Sequence, residues 1–393
     1  MASKRDIDRV AMAAVVLGLL SFLLAFVIVR PNRIVAGTPM FAWEALSSLD
    51  FGILVFLWLS AGLAAFFVFR KELRAWIQAI AGNLILFGLF YFIGSAASGL
   101  AASGGQAVRT SIGLGAWLML FAVQALIVSA LPKIDSPLAR FTLSVSGLAA
   151  IIVLTAAGGL NDISLLKEYA VARDRFSFEF SQHLLLSGAA VAAAVVAGVP
   201  LGILAFRSRI FEKPVFLIVD SVQTIPSLAL FGIMIVPLSL LSQRYALLRD
   251  LGIGGIGWAP ALIALALYAL LPIARNTFTG LKIIDPAVIE AGRGMGMSRI
   301  QLLFSVQVPI ATPVILSGIR TSMVQAIGNT TVAALIGAGG FGVFVFQGLG
   351  QAVPDLILLG AVPVILLAIV TDKIFELLMR IVSPRGIVRW ERA

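Results

Sequence analysis

The chain has 393 residues, 60% of them apolar and 12% charged, with a mean hydropathy of +1.05. A soluble globule carries about twice that charged fraction, so the composition is that of a polytopic membrane protein. The net charge of +10 would point to nucleic acid in a soluble chain, but here basic residues cluster between apolar runs, as they do where Lys and Arg set orientation. With no cysteine and one histidine, His183, disulfides, thiolate metal sites and cysteine nucleophiles are excluded and most metal or proton-relay schemes lose their ligands.

Uncharged apolar stretches long enough to cross about 30 Å of hydrocarbon predict an all-α fold, a polytopic membrane helical bundle of about ten transmembrane helices. They cover residues 10–29, 51–69, 77–100, 112–131, 141–157, 184–206, 215–241, 258–274, 312–336 and 356–370. The first follows Lys4, Arg5 and Arg9, is long for a signal core and has no clear small-residue cleavage site before Arg30, so it is taken as a span. Trp43, Trp58, Trp76, Trp117, Trp258 and Trp390 fall mostly near predicted span ends, as an aromatic belt does. The Gly and Ser run from Gly94 to Gly115 fits a small-residue helix end and short loop.

Placing the N-terminus inside puts 20 basic residues in the cytoplasm and 8 outside; the inverse orientation reverses the count. Both termini and the loop after residue 274 are therefore expected in the cytoplasm of a multi-pass inner-membrane protein. Residues 1–160 are expected to form an added bundle of about five spans and 161–182 an external linker containing a short surface helix. Residues 183–384 form the expected core and 385–393 a basic cytoplasmic tail.

His183 stands at the edge of the first core span. An interfacial histidine solvated by headgroups is expected there, against a pH sensor or substrate contact. In the next span, Gln223, Thr224, Pro226 and Ser227 put polar atoms beside a proline at membrane depth, which is costly unless they face protein or water. This segment either lines a solute path or is a kink packed by small residues.

Between the spans at 258–274 and 312–336 lies a polar, glycine-broken island, Asp285 to Pro309. Asp285 can cap a short helix with Pro286 at its first position. Gly292, Gly294 and Gly296 then end it after about two turns, and an amphipathic helix from Ser298 is expected to stop at Pro309. Beyond it, the span at 312–336 is the most polar, with Arg320, Asn329 and Thr330 among its members. Arg320 either snorkels, anchors the helix, or pairs with Asp220.

Across this island the spacing is Glu290, Ala291, Gly292, three residues, Gly296, nine residues, Val306, one residue, Val308 and Pro309. It resembles the EAA loop of the membrane subunits of ABC importers, with glycine for the third alanine and valine for the usual isoleucine and leucine. The stretches GVPLGIL from Gly198, QTIPSLALFG from Gln223 and GNTTVAALIGAGGFG from Gly328 resemble permeases of glycine betaine, choline and related osmoprotectant importers. That likeness covers about residues 183–384, half the chain.

The resemblance implies a five-helix type I ABC importer permease core whose loop 285–309 seats a coupling helix in a separate ATP-hydrolysing subunit through Asp285, Glu290, Ala291, Gly292, Gly296 and Pro309. It also implies a solute-binding protein, a second permease copy beside membrane lipid, and no nucleic acid partner. No cofactor is expected on this chain, ATP and Mg belonging to the partner. Gln223, Thr224, Pro226, Arg320, Asn329 and Thr330 are the candidate path residues. Two GxGxxG matches, from Gly252 and from Gly337, lack the strand and acidic residue of a dinucleotide site, and no GxxxxGK[ST] loop occurs. With no carboxylate pair or activated nucleophile visible, a non-catalytic subunit is expected. The alternatives are the same machinery importing an amino acid such as methionine, and an ion-coupled secondary transporter, which would need an intramembrane acid such as Asp220.

Overall fold

The computed structural model describes residues 8–382, apart from 34, 68, 69 and 106; Lys4, Arg5 and the basic tail 385–393, with Trp390, lie outside the described residues. The chain forms two compact units, Met1–Val171 and Ala172–Ala393. Among the described residues nine helices are long and apolar enough to cross a membrane, and Arg9–Leu23 is a shorter apolar helix. The all-α expectation is met, with one small sheet added.

The first unit runs α1 (Arg9–Leu20), β1 (Val27–Arg30), β2 (Thr38–Met40), α2 (Ala42–Ala45), α3 (Ser48–Phe67), α4 (Lys71–Gly104), β3 (Arg109–Ile112), α5 (Leu114–Ala130), α6 (Pro137–Ala156) and α7 (Ser164–Val171). The first predicted span is corrected here. Its helix stops at Leu20, a 3-10 turn covers Ser21–Leu23, and the β-branched Val27, Ile28 and Val29 pair as the central strand of an antiparallel sheet in the order β2-β1-β3. β-Branched side chains suit a pleated surface better than a helix end.

The segment still reaches as far as α5. Asp8 caps α1 through Ala11 N and pairs with Lys133 beyond the end of α5, while Gly115 N at the other end of α5 donates to Ala25 O at 2.8 Å. Twelve helical residues and a tight turn cover ~24 Å, and extended chain supplies the rest. Trp58 is fully buried in the space left by Gly18, where a Cβ would come within 2.4 Å of the indole ring; the α1–α3 packing depends on that missing side chain.

The second unit runs α8 (Arg173–Arg207), α9 (Arg209–Thr224), α10 (Ser227–Arg244), α11 (Ala246–Asp250), α12 (Trp258–Lys282), α13 (Pro286–Gly294), α14 (Arg299–Leu302), α15 (Val308–Ala333), α16 (Gly342–Gln351) and α17 (Pro354–Val382). The expected linker 161–182 is divided instead. Its first half holds α7, and its second half is the opening of α8, where Phe176 and Phe180 pack on Phe341 with ring centroids 5.1 and 5.9 Å apart. That apolar contact orders turns which charge alone marks as loop.

Three further expectations are revised. The span at 215–241 is broken at Ile225–Pro226, because proline lacks an N–H and disfavours helical backbone in the residue before it. The last span continues past residue 370 to Val382, its charges matched by pairing of Asp372 with Arg320 and of Glu376 with Lys373 and Arg380. Pro309 does not end a helix: a π turn over Leu303–Gln307 closes with Val308 N bonded to Leu303 O. Winding wider by one residue lets the proline ring enter without meeting a carbonyl one α-turn back.

The third crossing of this unit, α12, is packed from two sides at the level of Pro272. A Cβ on Gly318 of α15 would lie 2.6 Å from Pro272 O, and one on Gly202 of α8 would lie 2.6 Å from Ala274 O. Both contacts are with backbone, which cannot swing aside.

Candidate coupling knuckle and translocation path

The island folds as a tight knuckle. Asp285 Oδ1 accepts from Ala287 N at 2.9 Å with Pro286 at the first helical position, as its sequence predicts. The chain turns back through Gly296 at φ +81°, with Gly296 N donating to Arg293 O at 2.9 Å. Ser298 and Gln301 then cap the next helix reciprocally, Ser298 N donating to Gln301 Oε1 at 2.9 Å and Gln301 N to Ser298 Oγ at 3.3 Å. Reciprocal capping of this kind satisfies two orphan amides at once.

Gly292 is the one buried residue of α13. A Cβ there would lie 2.5 Å from Leu302 Cδ1, so the two short helices close on each other through it. The contact is with the end of a flexible side chain. Gly292→Ala is therefore expected to fold normally, with Leu302 changing rotamer, whereas Gly292→Val should lower the melting temperature of the purified protein through ~1–3 kcal/mol of overpacking.

Glu290 and Ala291 are exposed, with Val288, Arg293 and Gly296 beside them. Met295 is 71% exposed, Ile283 66% and Ile300 62%. Pro309 is exposed on the first turn of α15. The knuckle thus presents an uncommitted carboxylate beside exposed apolar side chains, the composition of a docking face.

The candidate path residues do not form one cluster. Gln223 Nε2 donates to Tyr268 O at 2.9 Å, Thr224 Oγ1 donates to Ser221 O at 2.7 Å, and Pro226 opens α10. Val222 and Ile225 pack against a buried cluster that includes Tyr268, Leu230 and Ala333, so the break lies beside the upper end of α15. There Thr330 is buried with its hydroxyl on Ala326 O at 2.7 Å, and Asn329 is half-buried. Arg320 is nine residues, ~13 Å, further down α15 and engages α17.

The partner weighed for Arg320 is corrected. Its guanidinium grips Asp372 in a fork, Nε to Oδ1 at 2.6 Å and Nη2 to Oδ2 at 2.7 Å. Asp220 is held instead by Arg275 at 2.8 and 2.9 Å, whose guanidinium also lies 4.4 Å from the centre of the Phe216 ring. Arg320 thus pairs two donors with two oxygens, whereas Arg275 reaches both oxygens of Asp220 from Nη2 alone and lays its guanidinium over Phe216.

His183 is not at a headgroup interface. It is fully buried, its Nε2 donating to Ile327 O at 3.0 Å and its Nδ1 accepting from Phe341 N at 3.3 Å. One turn earlier, buried Glu179 accepts from Gly340 N at 2.7 Å. The glycine loop after α15, with Gly337, Gly339 and Gly340 at φ +77°, +81° and +83°, is thus clasped by two side chains of α8. Glu179 and His183 take the amides of Gly340 and Phe341. The i,i+4 spacing of Glu179 and His183 was the available signal.

The helical crossings, the exposed knuckle and the proline-broken segment define a polytopic membrane permease. Residues 194–387 match the family described as binding-protein-dependent transport system inner membrane component, and residues 8–166 match the ABC transporter permease YehY, N-terminal domain. The chain is 43% identical over 206 residues to the osmoprotectant import permease protein OsmW of Salmonella typhimurium, across 52% of this chain and 91% of that one. It is 43% identical over 206 residues to the carnitine transport permease protein OpuCB of Listeria monocytogenes, across 52% and 87%. With the glycine betaine/carnitine/choline transport system permease protein OpuCB of Bacillus subtilis it shares 38% identity over 210 residues, across 53% and 89%. The chain belongs to the family of binding-protein-dependent transport system inner membrane components, whose members are permease subunits and not themselves catalytic.

Proposed function

We propose that the chain is the permease subunit of an ATP-driven importer of glycine betaine or a related osmoprotectant. The observation that carries this is the exposed knuckle of Asp285 to Met297 on a core whose relatives are named for osmoprotectant, carnitine, choline and glycine betaine transport. Glu290 and Ala291 on α13 dock into a separate ATPase, which alone holds ATP and Mg, while Gly292 and Gly296 set the shape of the knuckle that presents them. A second permease copy completes the pathway, and a solute-binding protein delivers cargo on the outer face. Both termini and the knuckle face the cytoplasm of a bacterial inner membrane, the orientation favoured by the 20 to 8 bias of basic residues.

Closure of the ATPase pair displaces the knuckles, and packed helices move as rigid bodies to exchange inward and outward access. The ion-coupled alternative gains nothing from Asp220 and Asp372, each neutralised by an arginine. The test is reconstitution with the ATPase and binding protein in proteoliposomes. Labelled glycine betaine uptake is expected to require ATP hydrolysis; uptake that persists without ATP and collapses with an ion gradient overturns the reading.

A further inference from the structure

Two proline breaks in the core lie side by side, and each leaves a backbone carbonyl without its helical donor. Pro272 has no N–H, so Tyr268 O, one turn earlier in α12, loses its ladder partner. Ile225, at φ −76° and ψ 126°, lies between α9 and α10, and the α10 ladder starts only with Leu230 N on Pro226 O. Its carbonyl is outside both helices. In hydrocarbon such groups must be satisfied by protein.

Each is satisfied from the other break. Gln223 Nε2, two residues before Ile225, donates to Tyr268 O at 2.9 Å, and Tyr268 Oη donates back to Ile225 O. The Tyr268 side chain is buried at this contact. Each donor belongs to one break and serves the carbonyl freed at the other, and both bonds cross the same α9/α10–α12 contact.

We propose that Gln223 and Tyr268 join the Pro226 break and the Pro272 kink into one hinge, which carries displacement of the coupling knuckle to the segment lining the solute path. α12 leads into α13 through only Ile283, Ile284 and Asp285, so force on the knuckle reaches α12 directly. Above Pro272 the helix is tied to the α9/α10 break, and at Pro272 it is held by the close approach of Gly318. A change in kink angle at Pro272 therefore moves Ile225 with Tyr268. Gln223 and Tyr268 are positioning residues, and their transport role rests on the importer function proposed above.

The experiment is a double-mutant cycle. Gln223→Leu should lower the melting temperature of the purified full-length protein by about 5 °C, because Tyr268 O loses its donor. Pro272→Leu returns an N–H to that carbonyl, so Gln223→Leu in the Pro272→Leu background should cost little further stability. Uptake of labelled glycine betaine per ATP hydrolysed should remain low in the double variant, since the hinge is gone although the fold is restored. Additive melting shifts overturn the cross-bond, and a double variant with the wild-type coupling ratio overturns the relay. Should the wild type move no glycine betaine, the melting cycle still judges the cross-bond, and the relay falls with the importer function on which it rests.

Discussion

Replacing Glu290 with arginine, or Gly296 with valine, is expected to abolish ATP-driven uptake while the protein remains folded in the membrane. Glu290 is exposed on α13, and among the described residues no basic group holds its carboxylate, so its loss removes nothing from the fold. Inverting its charge inside a protein contact places an unpaired ion there at ~3 kcal/mol or more, a factor of about a hundred in association. Gly296 acts differently. Nothing lies within 4 Å of a Cβ built on it, but its φ of +81° costs an L-residue ~1–2 kcal/mol, and a β-branched residue is least able to adopt it. The chain then relaxes by changing the angle between α13 and α14, which misaligns the docking face. Gly294→Ala is the control: Gly294 is helical with open space around it, so alanine should stabilise slightly, by ~0.5–1 kcal/mol. Co-elution of the ATPase is measured in detergent-purified material, and uptake after its reconstitution in proteoliposomes. Retention of both by Glu290→Arg removes the knuckle from the coupling route.

How much of this was legible beforehand follows the range of the interactions. The knuckle could be read closely because Asp285, Pro286 and Gly296 act over four residues or fewer. The crossings could be counted because hydropathy is a property of composition along the chain. The strand Val27–Arg30 was hidden in an apolar run, where periodicity does not separate a buried strand from a helix end. Pro309 read as a stop because a π turn leaves no mark in the pattern of residues. Asp372 lay outside its predicted span, since a carboxylate ends an apolar run on paper. Its neutraliser is 52 positions away at Arg320, and only the folded chain shows that the pair extends α17. Tyr268 was visible in retrospect, four residues before Pro272, the spacing at which a proline frees a carbonyl. The donor for that carbonyl lies 45 positions away at Gln223, beyond any local rule.

His183→Ala is expected to be the most damaging single truncation in the core. The imidazole sits in the neutral form with Nε2 protonated, because Phe341 N takes Nδ1 as its acceptor and Nε2 faces the carbonyl of Ile327. Alanine leaves the buried Phe341 N without its acceptor, at about 1–3 kcal/mol, removes the second donor on Ile327 O, which sits within the α15 ladder, and opens a gap beside the Phe341 ring, now 5.4 Å from the imidazole. With the lost packing added, roughly 2–4 kcal/mol is a large share of the ~5–15 kcal/mol that holds a typical domain folded. It falls on the clasp that fixes the glycine loop between α15 and α16, so both helices lose their register with α8. A drop of about 5–15 °C in melting temperature is expected, with reduced yield from the membrane. His183→Gln, which can still donate and accept, should recover part of it. Glu179→Gln should be milder than Glu179→Leu, since the amide oxygen can still take Gly340 N–H. A His183→Ala protein that melts with the wild type would mean that water replaces the acceptor of Phe341 N, and the loop would then be held by Glu179 and its own packing.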